Sequence, residues 1–211
     1  MIRDQIDGML SAHEARVMGC LMEKQMTTPD YYPLTLKALT AACNQKSSRV
    51  PVLHLSVGEV GGLVNDLRGQ GLVTARMDGR ADRFEQHLSR KLNLASKERA
   101  VLCVLMLRSA LTLNEVRINT GRMVTFESAE ELQTLLDHLT DRDEPLLVRI
   151  PRAVGQREDR YAQLLCGKPE IDMAVGGAGA AGVNTPESDR MAKLEQDVAD
   201  LKEAVQQLQA R

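Results

Sequence analysis

Leu72-Val73-Thr74-Ala75-Arg76-Met77-Asp78-Gly79-Arg80-Ala81-Asp82-Arg83-Phe84-Glu85-Gln86 is the stretch that decides the fold of this chain. Leu72 to Arg76 has the composition of a strand, Asp78-Gly79 is a turn dipeptide, and Arg83 to Gln86 can return antiparallel. Upstream the period is helical. After Ser11 the apolar residues Val17, Met18, Leu21 and Met22 share one helical face, and after Ser56 so do Val57, Val60, Leu63, Val64 and Leu67. Between them Pro33 is expected to open a short helix through Cys43, with Leu34, Leu36, Leu39 and Ala42 on its buried side. Three helices followed by a hairpin is the order of a winged helix, a helix-turn-helix variant.

Downstream the order repeats. Glu14, Val17, Leu21 and Met22 align with Glu98, Val101, Leu105 and Met106. Val60, Leu63, Val64 and Leu67 match Leu132, Leu135, Leu136 and Leu139 in spacing, and Arg80-Ala81-Asp82-Arg83-Phe84 matches Arg157-Glu158-Asp159-Arg160-Tyr161. Three matches in one order indicate two copies of one unit. Four Ser/Thr-x-x-Glu pairs, Ser11/Glu14, Ser56/Glu59, Thr112/Glu115 and Ser128/Glu131, mark helix starts as capping boxes. The expected class is mainly α with small β-hairpins (α+β), in two tandem winged-helix domains over residues 9–90 and 91–166.

Composition fits that class. Apolar residues make up 43% of the 211 residues but aromatics only 2%, so the core is built from Leu, Val, Met and Ala, which favours helices over a β-sandwich. The 27 basic and 29 acidic residues give a net charge of -2, so the whole-chain field recruits neither nucleic acid nor an anionic membrane. Cys20, Cys43, Cys103 and Cys166 form no C-x-x-C pair and have no His at ligand spacing. A reducing cytoplasm is the expected location, with no metal and no cofactor. The longest apolar run, Val101 to Leu107, is far below the ~20 residues that span a bilayer.

After Cys166 the composition turns to Gly, Ala and Pro, and residues 167–186 read as a flexible linker. Gly177-Ala178-Gly179-Ala180-Ala181-Gly182 matches the dinucleotide fingerprint G-x-G-x-x-G, but Asn184, Thr185 and Pro186 follow it where a helix is required. Residues 187–211 then place Met191, Leu194, Val198, Leu201, Val205 and Leu208 at alternating spacings of three and four, a heptad with Leu at d. This C-terminal helix either pairs two copies of the chain as a parallel coiled coil, giving a homodimer, or packs back on its own domain.

The runs EARVMGCLMEK (Glu14 to Lys24), TTPDYYPLTLKAL (Thr27 to Leu39) and ACNQKSSRVPV (Ala42 to Val52) resemble the YceH-like family of bacterial proteins. The resemblance covers residues 9 to 166 and implies two winged-helix domains in tandem; it implies no activity. Lys37 departs from the family pattern, which usually has Asn there. Gly58, Gly61 and Gly62 crowd the third helix, where each interior Gly costs about 1 kcal/mol relative to Ala.

Candidate binding residues lie in two places. In the connection Cys43 to Arg49, Lys46 and Arg49 can neutralise phosphates while Asn44 or Gln45 reaches an adenine edge; alternatively Asn44 caps the second helix and Arg49 pairs with an acid. On the wings Arg76, Arg80 and Arg83, then Arg149, Arg152, Arg157 and Arg160, suit a DNA backbone. Asp78, Asp82, Glu158 and Asp159 sit among them, however, and the third helices carry Glu59 and Asp66, then Glu130, Glu131, Asp137 and Asp141. No nucleophile-base pair stands out beyond a conceivable Cys43 with His54, and the other histidines, His13, His87 and His138, are scattered. Two non-enzymatic readings follow: a double-stranded DNA-binding regulator, or an adaptor whose winged helices bind a protein. Arginines converging on one acid-free face favour the first; arginines each paired to a neighbouring acid favour the second.

Overall fold

The computed structural model describes residues 9–78, 81–153 and 155–169. The first copy runs α1 (Ala12–Thr27), β1 (Leu34–Thr35), α2 (Leu36–Cys43), α3 (Val57–Gly69), β2 (Val73–Asp78) and β3 (Ala81–Gln86). A single turn, α4 (Leu88–Lys91), leads to the second: α5 (Ser96–Leu107), β4 (Leu111–Thr112), α6 (Leu113–Thr120), α7 (Ala129–Asp141), β5 (Leu147–Ile150) and β6 (Arg160–Gln163). The class is mixed α and β with two small antiparallel three-stranded sheets, ordered β1-β3-β2 and β4-β6-β5. This layout is compatible with tandem winged helices. The heptad residues Met191 to Leu208 and the linker lie outside the described residues, as does Arg80.

The repeat extends to register. Leu34 faces Phe84 and Thr35 faces Arg83 in one sheet; Leu111 faces Tyr161 and Thr112 faces Arg160 in the other. Val60, Val64 and Leu67 of α3 and Leu132, Leu136 and Leu139 of α7 are all at most 1% exposed. Each such burial contributes about 1.5–3 kcal/mol.

Helix starts follow their caps, with corrections. Three of the four expected capping boxes close reciprocally, at Ser11/Glu14, Ser56/Glu59 and Thr112/Glu115. At the fourth, Ser128 accepts from the Glu131 N–H, but the Glu131 carboxylate accepts from the Glu127 N–H instead and pairs with Lys97. The second helix starts at Leu36, not Pro33. Thr35 is its N-cap, accepting from the Ala38 N–H, and Leu34 and Thr35 are extended because they pair with β3. Pro33 sits before that strand, after a cis Tyr32–Pro33 bond.

Helices α1 and α5 pack on one another and are buried on every side along their middles, from Glu14 to Met22 and from Ala100 to Leu107. Both copies therefore share one contiguous core. Backbone bonds tie them at two further points, Leu10 N–H to the Leu165 carbonyl at 2.8 Å and Val50 N–H to the Leu107 carbonyl at 3.0 Å. Among the described residues no helix is long and apolar enough to cross a membrane.

The glycines of α3 do not interrupt it. A Cβ at Gly62 meets nothing within 4 Å, and one at Gly61 meets only Leu36 Cδ2 at an ordinary 3.6 Å. Gly62→Ala therefore raises stability by about 0.5–1 kcal/mol, through helix propensity and a less flexible unfolded chain. The shift in urea midpoint at unchanged slope reads this directly, and a fall in midpoint contradicts it.

Candidate functional site

The connection between α2 and α3 is built from the inside. A helix ends with orphan carbonyls, and α2 hands its own to side chains and caps. The Asn44 N–H donates to the Thr40 carbonyl, Arg49 Nε donates to the Ala42 carbonyl at 3.0 Å, and Arg16 Nη1 donates to the Cys43 carbonyl at 3.2 Å. Arg16 Nη2 also donates to the Pro51 carbonyl at 2.7 Å, so α1 holds both ends of the connection. The Asn44 amide grips Leu55 from both sides, donating to its carbonyl at 2.7 Å and accepting from its N–H at 2.8 Å. Each group of the Asn44 amide thus already carries one backbone bond to Leu55.

Arg49 is 2% exposed, and its fork meets both oxygens of Glu23, at 3.2 and 2.6 Å. The Glu23 carboxyl is held below its usual range: burial pushes it up, but the hydrogen bond and charge of Arg49 outweigh that. Of the four connection residues expected to touch nucleic acid, Arg49 is buried, the half-buried Asn44 amide is bonded to the Leu55 backbone, and Gln45 and Lys46 line an open cleft.

That cleft, about 420 Å³, draws on both copies. Glu23, Lys24, Gln45, Lys46, Ser47 and Ser48 come from the first; Arg108, Asn119, Arg122 and Met123 come from the second. Lys24, Arg108 and Arg122 have no signature in the sequence, because only the packing of α1 on α5 brings them to Lys46.

The wing arginines are mostly tied down. Arg76 pairs with Glu85 at 2.8 Å, across the sheet and on the next strand. Arg83 donates to the Pro33 carbonyl at 3.1 Å, and its counterpart Arg160 donates to the Ala110 carbonyl at 2.9 Å and to Glu115 at 3.1 Å. Both copies thus use this arginine to lock the return strand to the segment before the short strand. Arg149 meets Asp159 at 2.5 Å, and Asp159 also accepts from the Arg152 N–H at 2.9 Å. The Arg152 backbone N–H and the Arg149 guanidinium hold the Asp159 carboxyl below its usual range. Arg152 Nη1 reaches the Arg157 carbonyl at 3.4 Å. Among the described residues, Lys46 and Arg157 form no ion pair.

The third helices expose carboxylates. Glu59 and Asp66 are exposed on α3, and Glu130 and Asp141 on α7, with Arg68 and His138 the exposed basic groups. Cys43 is buried while His54 is exposed, so the conceivable thiolate–imidazole pair does not form. A hydrogen bond to Cys20, together with burial, pushes the Cys43 thiol well up, and burial does the same to Cys103. No group of three His, Cys, Asp or Glu residues able to hold a metal is present among the described residues.

Comparison with known proteins identifies the family. Residues 10–156 match the family model described as "Protein of unknown function, DUF480". A UPF0502 protein of Cellvibrio japonicus is 43% identical over 206 residues, covering 98% of this chain and 94% of that protein. One from Vibrio atlanticus is 39% identical with 95% of each chain covered, and one from Pseudomonas paraeruginosa is 45% identical over 83% of this chain and 78% of its own. None of these descriptions carries an enzymatic activity. With the family model spanning well over half the residues and the YceH-like motifs inside the matched region, the chain belongs to the DUF480/UPF0502 family of bacterial proteins.

Proposed function

We propose that this is a non-enzymatic adaptor, whose two winged-helix units bind a protein partner carrying a basic segment. The pairing of the wing and connection arginines carries this reading: Arg49, Arg76, Arg149 and Arg160 each hold a carboxylate. A carboxylate beside each arginine repels a phosphate backbone, and the exposed acids of α3 and α7 repel it where a recognition helix enters a groove. The same acids attract lysine and arginine side chains. Beside α7, Lys97, Glu98, Glu131, Thr134, Leu135 and His138 line a shallow, largely apolar groove of about 600 Å³, which suits the stem of such a segment. Lys46 and Arg157, without acid partners among the described residues, are what favours the second reading, a double-stranded DNA-binding regulator.

Two measurements separate them. Anisotropy of a random-sequence duplex between about 50 and 200 mM salt is expected to show no binding at micromolar protein. A photo-crosslinking residue at position 134 is expected to give one discrete protein adduct in cells, lost on Glu130→Lys with Asp141→Lys while circular dichroism stays unchanged. Micromolar duplex binding that falls steeply with salt, and weakens in Arg157→Ala, overturns the adaptor reading in favour of DNA.

A further inference from the structure

The polar cleft at the seam of the two copies has a charge excess that the fold does not use. Lys24 stands 3.6 Å from Glu23, but Glu23 is already matched by the buried fork of Arg49 at 2.6 Å. Lys46, Arg108 and Arg122 make no hydrogen bond or ion pair among the described residues, and neither do the hydroxyls of Ser47 and Ser48. Arg108 is the telling member. It is half-buried, and burial together with the neighbouring charge of Arg49 opposes its own charge, only partly relieved by Glu23. A guanidinium remains protonated in a protein, so a fork of five donors stands on the wall of the cleft.

Helix ends do not account for the excess. Helices α1, α2, α5 and α6 all terminate around this cleft, and carbonyl ends carry partial negative charge. Those of α2 are answered by Arg16, Arg49 and Asn44, and the last carbonyl of α5 accepts from the Val50 N–H. Four cations from opposite walls remain around one space of about 420 Å³.

We propose that this cleft binds a small anion bearing two or more phosphate groups, held by Lys24 and Lys46 from the first copy and Arg108 and Arg122 from the second. Spread cations match several phosphoryl oxygens better than a single carboxylate, and the serine hydroxyls supply further donors. Among the lining residues Met123 is the sole large apolar one and none is aromatic, so recognition runs through the phosphates and not through a stacked base. The ligand bridges the two copies across their seam. The proposal stands apart from the protein-partner reading, because it uses none of the residues on α7.

Isothermal titration of sodium pyrophosphate into the full chain, at about 100 mM ionic strength, tests it. Submillimolar binding at one site is expected, weakened roughly tenfold or more in Arg108→Gln with Arg122→Gln. Lys46→Gln, at an exposed position outside the core, is expected to weaken it several-fold with the melting temperature unchanged. ADP binding within a factor of a few of pyrophosphate shows that phosphate alone is read; tenfold tighter ADP binding adds the nucleoside to the ligand, and both support the site. No heat with millimolar pyrophosphate, equal heat with sulfate at matched ionic strength, or undiminished binding in both variants overturns it.

Discussion

Replacing Arg49 by alanine is expected to lower the stability of this protein by about 3–5 kcal/mol, the range for stripping one partner from a buried ion pair. Its side chain is 0% exposed and serves three acceptors at once: the Glu23 carboxylate, the Ala42 carbonyl and the Ser48 carbonyl. Truncation takes the fork from a largely buried carboxylate and the side-chain donor from two carbonyls, and leaves the connection to Arg16, the Asn44–Leu55 pair and the Val50 N–H. Arg49→Lys recovers little of the loss, because an ammonium cannot span the carboxylate and the helix end as a planar fork does. The melting temperature falls by roughly 10 °C for a chain of this size.

The pH dependence checks the cause. In the native protein the Glu23 carboxyl is depressed, so its contribution is fully present above the unfolded value near ~4.3 and is lost as pH falls through the folded one. Without Arg49 the burial of Glu23 dominates, although Lys24 and Arg108 still face it, and its folded value moves upward. Urea unfolding at pH 7 and at pH 4 should therefore give a smaller gap between native and Arg49→Ala proteins at the lower pH. A gap of equal size at both pH values, or a loss below ~1 kcal/mol at pH 7, makes the pair irrelevant to stability.

Arg49, for which the sequence left phosphate contact and pairing with an acid both open, shows what a sequence yields here and what it withholds. Spacing reveals the repeat, since Val60, Val64 and Leu67 share the burial of Leu132, Leu136 and Leu139, and Ser11, Ser56 and Thr112 cap where their motifs say. Those signals are local, set within one helical turn or one hairpin. Whether a cation faces phosphate or a carbonyl depends on a partner 26 residues away, as with Arg49 and Glu23, and spacing carries no trace of it. Arg16 did leave a signal, a charge inside the apolar run Ala15 to Met18, which a reading by helical face passes over. The cleft left none: Lys24, Lys46, Arg108 and Arg122 meet only because α1 and α5 are buried all round against one another.

That crossing is where the second large effect is expected, at a glycine unlike those of α3. A Cβ at Gly19 comes to 2.8 Å from Leu107 Cδ2, 2.9 Å from its Cγ and 3.3 Å from Met106 Cβ, and Leu107 is fully buried. The Gly19 carbonyl also accepts from the Cys103 thiol at 3.3 Å, so the helix backbone itself lies against α5. Gly19→Ala gains helix propensity, as Gly62→Ala does, but overpacks the seam and is expected to destabilise by about 1–3 kcal/mol. A double-mutant cycle isolates the contact: Leu107→Ala alone costs about 2–5 kcal/mol, and with space opened beside Gly19 the two losses combine to less than their sum. Since both copies share one contiguous core, the Gly19→Ala protein should still unfold in one transition, at lower urea. Stability equal to or above that of the native protein would place Gly19 with the open glycines of α3, and strictly additive losses would mean that Leu107 does not meet the new methyl group.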